Sequence, residues 1–230
     1  MNIYTEFSKY AYSYAKYNFI QEKVAQHLLQ FIHKQPKYIL DLGCGDGMIY
    51  KKIDWKIEKF VAVDFAESML ELHPKGKNIE FICADFNEET LFKDLQKEHF
   101  DYIISASSLQ WANNIDRLFC NISSFKTSVA LALFTSGTFQ TLNKIAGVKS
   151  LLLSAKELEK IQKKYFPDAK FEIVQYQVSF ESVREMFRYI KKSGVSGSRK
   201  LLSYKDMKRV MSEYPLNYLE FEVLFINTEA

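Results

Sequence analysis

The stretch Tyr38-Ile39-Leu40-Asp41-Leu42-Gly43-Cys44-Gly45-Asp46-Gly47 decides the fold. Its first half is a short apolar run that reads as a buried strand, and its second half places a glycine at every other position. Glycine allows the backbone of a tight turn and lets a ligand approach the main chain closely. In an open parallel sheet, the turn at the carboxyl end of the first strand is where cofactors bind. Asp64 closes the next apolar run, Phe60-Val61-Ala62-Val63. An acid about 20 residues past such a turn can accept hydrogen bonds from both hydroxyls of a ribose.

Outward from this stretch, apolar runs and helical stretches alternate. Strands are expected at Ile79-Glu80-Phe81-Ile82, over 100–105 and over 129–134. Upstream, residues 7–33 read as helical, with Val24, Leu28, Leu29 and Ile32 on one face, and Pro36 ends that run. A helix is expected from Ser68 until Pro74 breaks it. Continuous apolar strands separated by helices imply a parallel sheet covered on both faces. The last third differs. Residues 170–180 alternate apolar and polar, 218–226 form a closing strand, and these two are expected as an antiparallel edge pair. Helices are expected over 156–165, 181–192 and 203–213, with a glycine- and serine-rich loop at 193–198. The reading is one α/β domain with three parts. A helical cap spans 1–35, a cofactor-binding half 36–135, and a substrate-side half 136–230 carries a lid near 190–213.

Composition excludes several function classes. Thirty-one basic and 28 acidic side chains leave a formal charge of only +3, too weak for bulk nucleic-acid binding. The three cysteines, Cys44, Cys83 and Cys120, lack the spacing of a zinc pair, and the odd count argues against a secreted disulfide framework. No apolar run is long enough to cross a bilayer, and the first residues lack the pattern of a signal peptide, so a cytoplasmic protein is expected, with no membrane partner. The four histidines are scattered; no metal site and no Ser-His-Asp set is expected.

The dinucleotide fingerprint needs a third glycine at the sixth position of the turn, where Met48 stands, so a nicotinamide oxidoreductase is set aside. The pattern acid-x-Gly-x-Gly-x-Gly instead resembles the first motif of class I methyltransferases, whose cofactor is S-adenosyl-L-methionine and whose product is S-adenosyl-L-homocysteine. That resemblance implies a Rossmann-like, mostly parallel seven-stranded sheet with an antiparallel edge. It gives Asp41, Gly43, Cys44 and Gly45 to the methionine end of the cofactor and Asp64 to the ribose. It gives Asp85 and Phe86, after the third strand, to the adenine, with Phe65 and Met69 packing nearby. Ser105 closes the fourth strand, where the reacting methyl group is expected.

The segment after that strand, Leu109-Gln110-Trp111, resembles the malonyl-acyl-carrier-protein O-methyltransferase family of biotin synthesis. So do Phe7-Ser8-Lys9-Tyr10-Ala11 with Tyr14 and Gln21, the run Phe134-Thr135-Ser136-Gly137-Thr138-Phe139-Gln140-Thr141-Leu142, and Tyr214-Pro215-Leu216-Asn217-Tyr218. The Pro-Gly-Gly turn common in that family before the fifth strand is replaced by Ser124-Phe125-Lys126-Thr127-Ser128. The resemblance implies esterification of the free carboxylate of a malonyl group on acyl carrier protein. Gln110 and Trp111 would contact the substrate, and Tyr14 and Arg199 would orient the carboxylate. Lys191, Lys192, Arg199, Lys200, Lys205, Lys208 and Arg209 crowd the late segment, a basic face suited to an acidic carrier protein. Two other readings are a methyltransferase for a quinone or other metabolite, and a non-catalytic module that keeps the fold.

Overall fold

The computed structural model describes residues 17–192 and 204–228. Tyr10, Tyr14, Arg199, Lys200 and the 193–198 loop lie outside the described residues.

The chain enters through α1 (Phe19–Leu29). There follow β1 (Tyr38–Leu42), α2 (Met48–Lys52), β2 (Lys59–Asp64), α3 (Glu67–Leu72), β3 (Ile79–Cys83), α4 (Glu89–Leu95) and β4 (Tyr102–Ala106). A 3-10 turn (Leu109–Trp111) leads to α5 (Ile115–Ser123), β5 (Ser128–Phe134), α6 (Gln140–Ala146) and α7 (Ala155–Tyr165). The last elements are β6 (Lys170–Ser179), α8 (Val183–Lys192), α9 (Tyr204–Glu213) and β7 (Tyr218–Asn227).

The strands form one seven-stranded sheet in the order β3-β2-β1-β4-β5-β7-β6. β1 pairs in parallel with β2 on one side and β4 on the other, so the chain reverses its direction of travel across the sheet at β1. A crevice at such a reversal is the standard ligand position in open α/β sheets. β7 is antiparallel to both β5 and β6, as the two late alternating segments lead one to expect.

Alternation along β1 divides the core. Ile39 packs with Val24 and Leu28 of α1 on one face; Leu40 and Leu42 pack with Leu118 and Phe119 of α5 on the other. All five of these β1 and α1 residues are fully buried, which is why this strand reads as a continuous apolar run rather than an alternating one. β6, by contrast, is exposed at every second position or more and carries Lys170 and Glu172, charges that discourage pairing of an open edge with another chain.

Two boundaries differ from expectation. The helix expected over 7–33 ends at Leu29 within the described residues. Gln30, Phe31 and Ile32 then donate to the carbonyls three residues back, a tightened turn that delivers the chain to Pro36. The fourth strand starts at Tyr102 rather than Phe100, because the Asp101 carboxylate accepts the N–H groups of Lys37 and Tyr38 at 2.9 and 3.0 Å and so ends the ladder.

Candidate active site at the carboxyl end of the first strand

The glycine turn is held from three sides. From β2, the Val63 carbonyl accepts the N–H groups of Gly43 and Cys44 at 2.8 and 3.0 Å. From β4, the hydroxyls of Ser105 and Ser108, 2.7 Å apart, share the Leu42 carbonyl as acceptor at 2.6 and 2.9 Å. From below, His73 is buried against Gly47 and lies edge-on to Phe81 at 5.1 Å between ring centres. Burial lowers the His73 pKa, which favours the neutral imidazole.

Glycine is required here for steric reasons. Gly43 has φ +75°, and a Cβ at this position would sit 2.3 Å from Ser108 Oγ. Gly47 has φ +80°, and its Cβ would meet the His73 ring at 2.6 Å. The tight contact at Gly43 comes from Ser108, a residue that the sequence reading did not single out. Its only signal was a pair of serines just beyond a strand end.

Asp64 lies where an acid after β2 was expected. Its two carboxylate oxygens accept the N–H groups of Gly45 and Ala66, each at 2.9 Å. A carboxylate offers about four acceptor positions, so further donors can still be accommodated. Burial pushes its pKa up, and the N–H donors of Ala66, Gly45 and Phe65 oppose that rise.

Asp41 is the unusual group. It is 1% exposed, and neither carboxylate oxygen has a hydrogen-bond partner among the described residues. Burial, helped by the neighbouring Asp64 charge, pushes its pKa up to about 8. It lines a crevice together with Gly43, Cys44 and Gly45, Gln21 and Ala25 of α1, and Ala106 of β4. The Cys44 thiol is raised as well, chiefly by burial, so it behaves as an inert apolar wall. A buried acid without a donor fits a cationic ligand, because the approaching charge restores the favourable partner that water supplied. S-adenosylmethionine carries an ammonium and a sulfonium, so the residues present suit it. The crevice measures about 40 Å³, little more than a water, so the amino-acid end of the cofactor must widen it on entry.

The remaining expected residues divide by place. Phe86 is buried, and its ring edge is 3.8 Å from where a Gly43 Cβ would be, which brings the loop after β3 against the glycine turn. Asp85 accepts both the N–H and the side-chain amide of Asn87 at 2.8 Å. Asn87 in turn accepts the Asn113 N–H at 2.8 Å, tying this loop to the segment after the 3-10 turn. Met69 is buried with Ala66, and Phe65 packs on them as a small separate cluster. The Met69 methyl is 3.4 Å from where a Gly45 Cβ would be, so this residue also walls the turn. Gln110 and Trp111 sit in the 3-10 turn; Trp111 packs toward the α1 side of the core. Of the late basic residues within the described chain, Arg209 donates to the Ile145 carbonyl at 3.1 Å and to Glu213 at 3.0 Å.

Known proteins resemble this chain in sequence and in fold. Residues 39–125 match the family model described as a methyltransferase domain. The malonyl-[acyl-carrier protein] O-methyltransferase of Acetivibrio thermocellus is 28% identical, with 90% of this chain and 84% of that protein covered. The enzyme of the same name from Acinetobacter baylyi is 23% identical over 94% of this chain and 87% of its own. Among solved structures, the YcgJ protein of Bacillus subtilis superposes with a TM-score of 0.62 at 9% identity, covering 92% of this chain and 99% of that one. Haemonchus contortus phosphoethanolamine N-methyltransferase 2, solved with S-adenosylhomocysteine, superposes with a TM-score of 0.59 at 17% identity, covering 99% of this chain and 60% of that one. The domain match takes in the glycine turn, and the solved methyltransferase superposes over nearly all of this chain, so the chain is an S-adenosylmethionine-dependent methyltransferase with the class I, Rossmann-like fold.

Proposed function

We propose that the chain esterifies the free carboxylate of a malonyl thioester carried on acyl carrier protein, an early step of biotin synthesis in the cytoplasm. The observation that carries this reading is that relatives bearing that activity's name align with this chain well beyond the methyltransferase domain, over 84% of it for the Bacillus cereus protein and more for others. Those alignments take in the substrate-side half, where acceptors are chosen.

When bound, S-adenosylmethionine supplies an electrophilic methyl group on a positively charged sulfur. The chain's own residues then have four tasks. The Gly43–Gly45 turn and Asp41 hold the amino-acid end, Asp64 the ribose, and Asp85 and Phe86 the adenine, with Phe65 and Met69 beside it. Ser105, through the Leu42 carbonyl, fixes the turn against β4. Tyr14 and Arg199 orient the acceptor carboxylate, the guanidinium by a paired contact suited to two oxygens, and Gln110 and Trp111 contact the rest of the substrate. The enclosing walls exclude water, which favours a step in which opposite charges cancel.

No side chain is asked to remove a proton, because a carboxylic acid is already ionised at neutral pH. Alignment of oxygen, methyl carbon and sulfur supplies much of the acceleration. The bond that forms joins carboxylate oxygen to methyl carbon; the bond that breaks leaves its electron pair on sulfur, giving a methyl ester and a neutral thioether.

Mass spectrometry of malonyl carrier protein incubated with the chain and S-adenosylmethionine tests the reading. The carrier is expected to gain the mass of one methylene, more slowly with Tyr14→Phe or Arg199→Ala. An unchanged carrier, with methyl transfer to a quinone instead, would establish the other acceptor class.

A further inference from the structure

A second cavity, of about 220 Å³, opens beside the carboxyl ends of β4 and β5, one strand end away from the glycine turn. Its lining includes Gln110, Asn113, Phe134, Leu151, Leu153 and Leu158 and, among the described residues, no charged side chain. The Ser136 N–H donates to the Leu153 carbonyl at 2.8 Å, so the leucine lip is fastened to the loop that leaves β5. Leu151, at 70% exposed, stands in water at this lip, with Val148 and Leu153 also exposed nearby.

Gln110 supplies the directional feature. Its amide nitrogen donates to the Ser107 carbonyl at 2.6 Å, which fixes which end of the side chain is which. Its carbonyl oxygen is buried and has no hydrogen-bond partner among the described residues. A ligand N–H in the cavity can satisfy this acceptor once the wall shifts enough to uncover it. The volume equals that of about seven waters, enough for a stretch of flexible chain and too little for a nucleoside as well. Without a charged side chain the cavity is a poor place for a carboxylate, so an acceptor with an acidic end must turn that end elsewhere.

We propose that this cavity receives the neutral, amide-bearing arm of an acyl thioester, the pantetheine chain common to carrier proteins and coenzyme A. One arm amide donates to Gln110 Oε1, and the acidic end is directed toward the glycine-turn crevice. This rests on the thioester acceptor proposed above, and it adds the part of the acceptor that is recognised and the residues that recognise it.

The test compares kcat/KM for malonyl-pantetheine with that for the S-methyl thioester of malonate, which has no arm. Wild type is expected to prefer the long acceptor by tenfold or more. Leu153→Trp, which fills the cavity, is expected to abolish most of that preference. Gln110→Met, close in size but without the acceptor oxygen, is expected to reduce it roughly three- to tenfold through KM. S-adenosylhomocysteine titration checks that each variant is folded, and the gentler Gln110→Met keeps the test valid if Leu153→Trp is not. Malonyl-coenzyme A and malonyl carrier protein, run in parallel, identify the arm's source by the higher kcat/KM, and both are expected to fall in the variants. A preference that survives in the folded variants, or equal use of both thioesters by wild type, overturns the arm site alone. Methylation of neither thioester by wild type overturns the acceptor reading, and the arm site with it.

Discussion

Gly43 and Asp41 carry the most testable physics at the scale of single residues. Gly43→Ala adds a Cβ in a left-handed backbone and against Ser108, whose hydroxyl is itself committed to the Leu42 carbonyl. The substitution is expected to cost more than about 1 kcal/mol of stability and to weaken S-adenosylhomocysteine binding; calorimetric titration and urea unfolding measure the two. Asp41 makes a prediction in pH. Its folded pKa, pushed to about 8 by burial and then by Asp64, lies above the ordinary value of 3.8. Between those values the folded chain keeps a proton that the unfolded chain releases, so this group's effect on stability worsens as pH rises through that window. Asp41→Asn removes the effect. The variant's melting temperature is expected to gain on wild type as pH goes from 5 to ~8, while its affinity for the cationic cofactor falls. A melting difference that stays constant with pH would show that Asp41 is charged throughout.

Elements, taken singly, explain which parts of the fold could be read in advance. β1, β2 and β5 are buried on both faces and five to seven residues long, so their apolar runs announce them. α2 and α6 have five and seven residues. Such short helices lack the repeated turns that make periodicity visible, and they were not legible. α6 also starts from Phe139 in a left-handed conformation, φ 58°, which nothing in a bulky aromatic suggests. α7 is the opposite case. Ser154 and Glu157 form a reciprocal capping box: the Ser154 N–H donates to the Glu157 carboxylate at 2.7 Å, and the Glu157 N–H returns to the serine hydroxyl at 3.3 Å. Ser154→Ala is expected to cost about 1 kcal/mol, read as a lower urea midpoint with unchanged slope. No change in midpoint would mean that the lip and β5 contacts hold this helix start without its cap.

For the whole molecule, the sheet type and its antiparallel edge followed from the change in pattern after β5, but the order of strands did not. That order is set by which crossovers pack helices on both faces, information spread over the chain rather than present in any stretch. The grouping of acids and glycines at the crevice was legible because they fall at strand ends, where spacing along the chain becomes proximity in space. The clamp by Ser108 and the cavity behind Gln110 were not, because each depends on atoms brought together from different strands. The central claim is that the β1 turn, Asp41 and Asp64 together hold S-adenosylmethionine. Its most direct test is a crystal structure of the chain with S-adenosylhomocysteine. The account predicts the ribose hydroxyls on Asp64, the amino-acid end along Gly43–Gly45, and the α1 side of the crevice moved outward. A nucleoside bound elsewhere, with Asp64 still holding only the backbone of Gly45, Phe65 and Ala66, would contradict it.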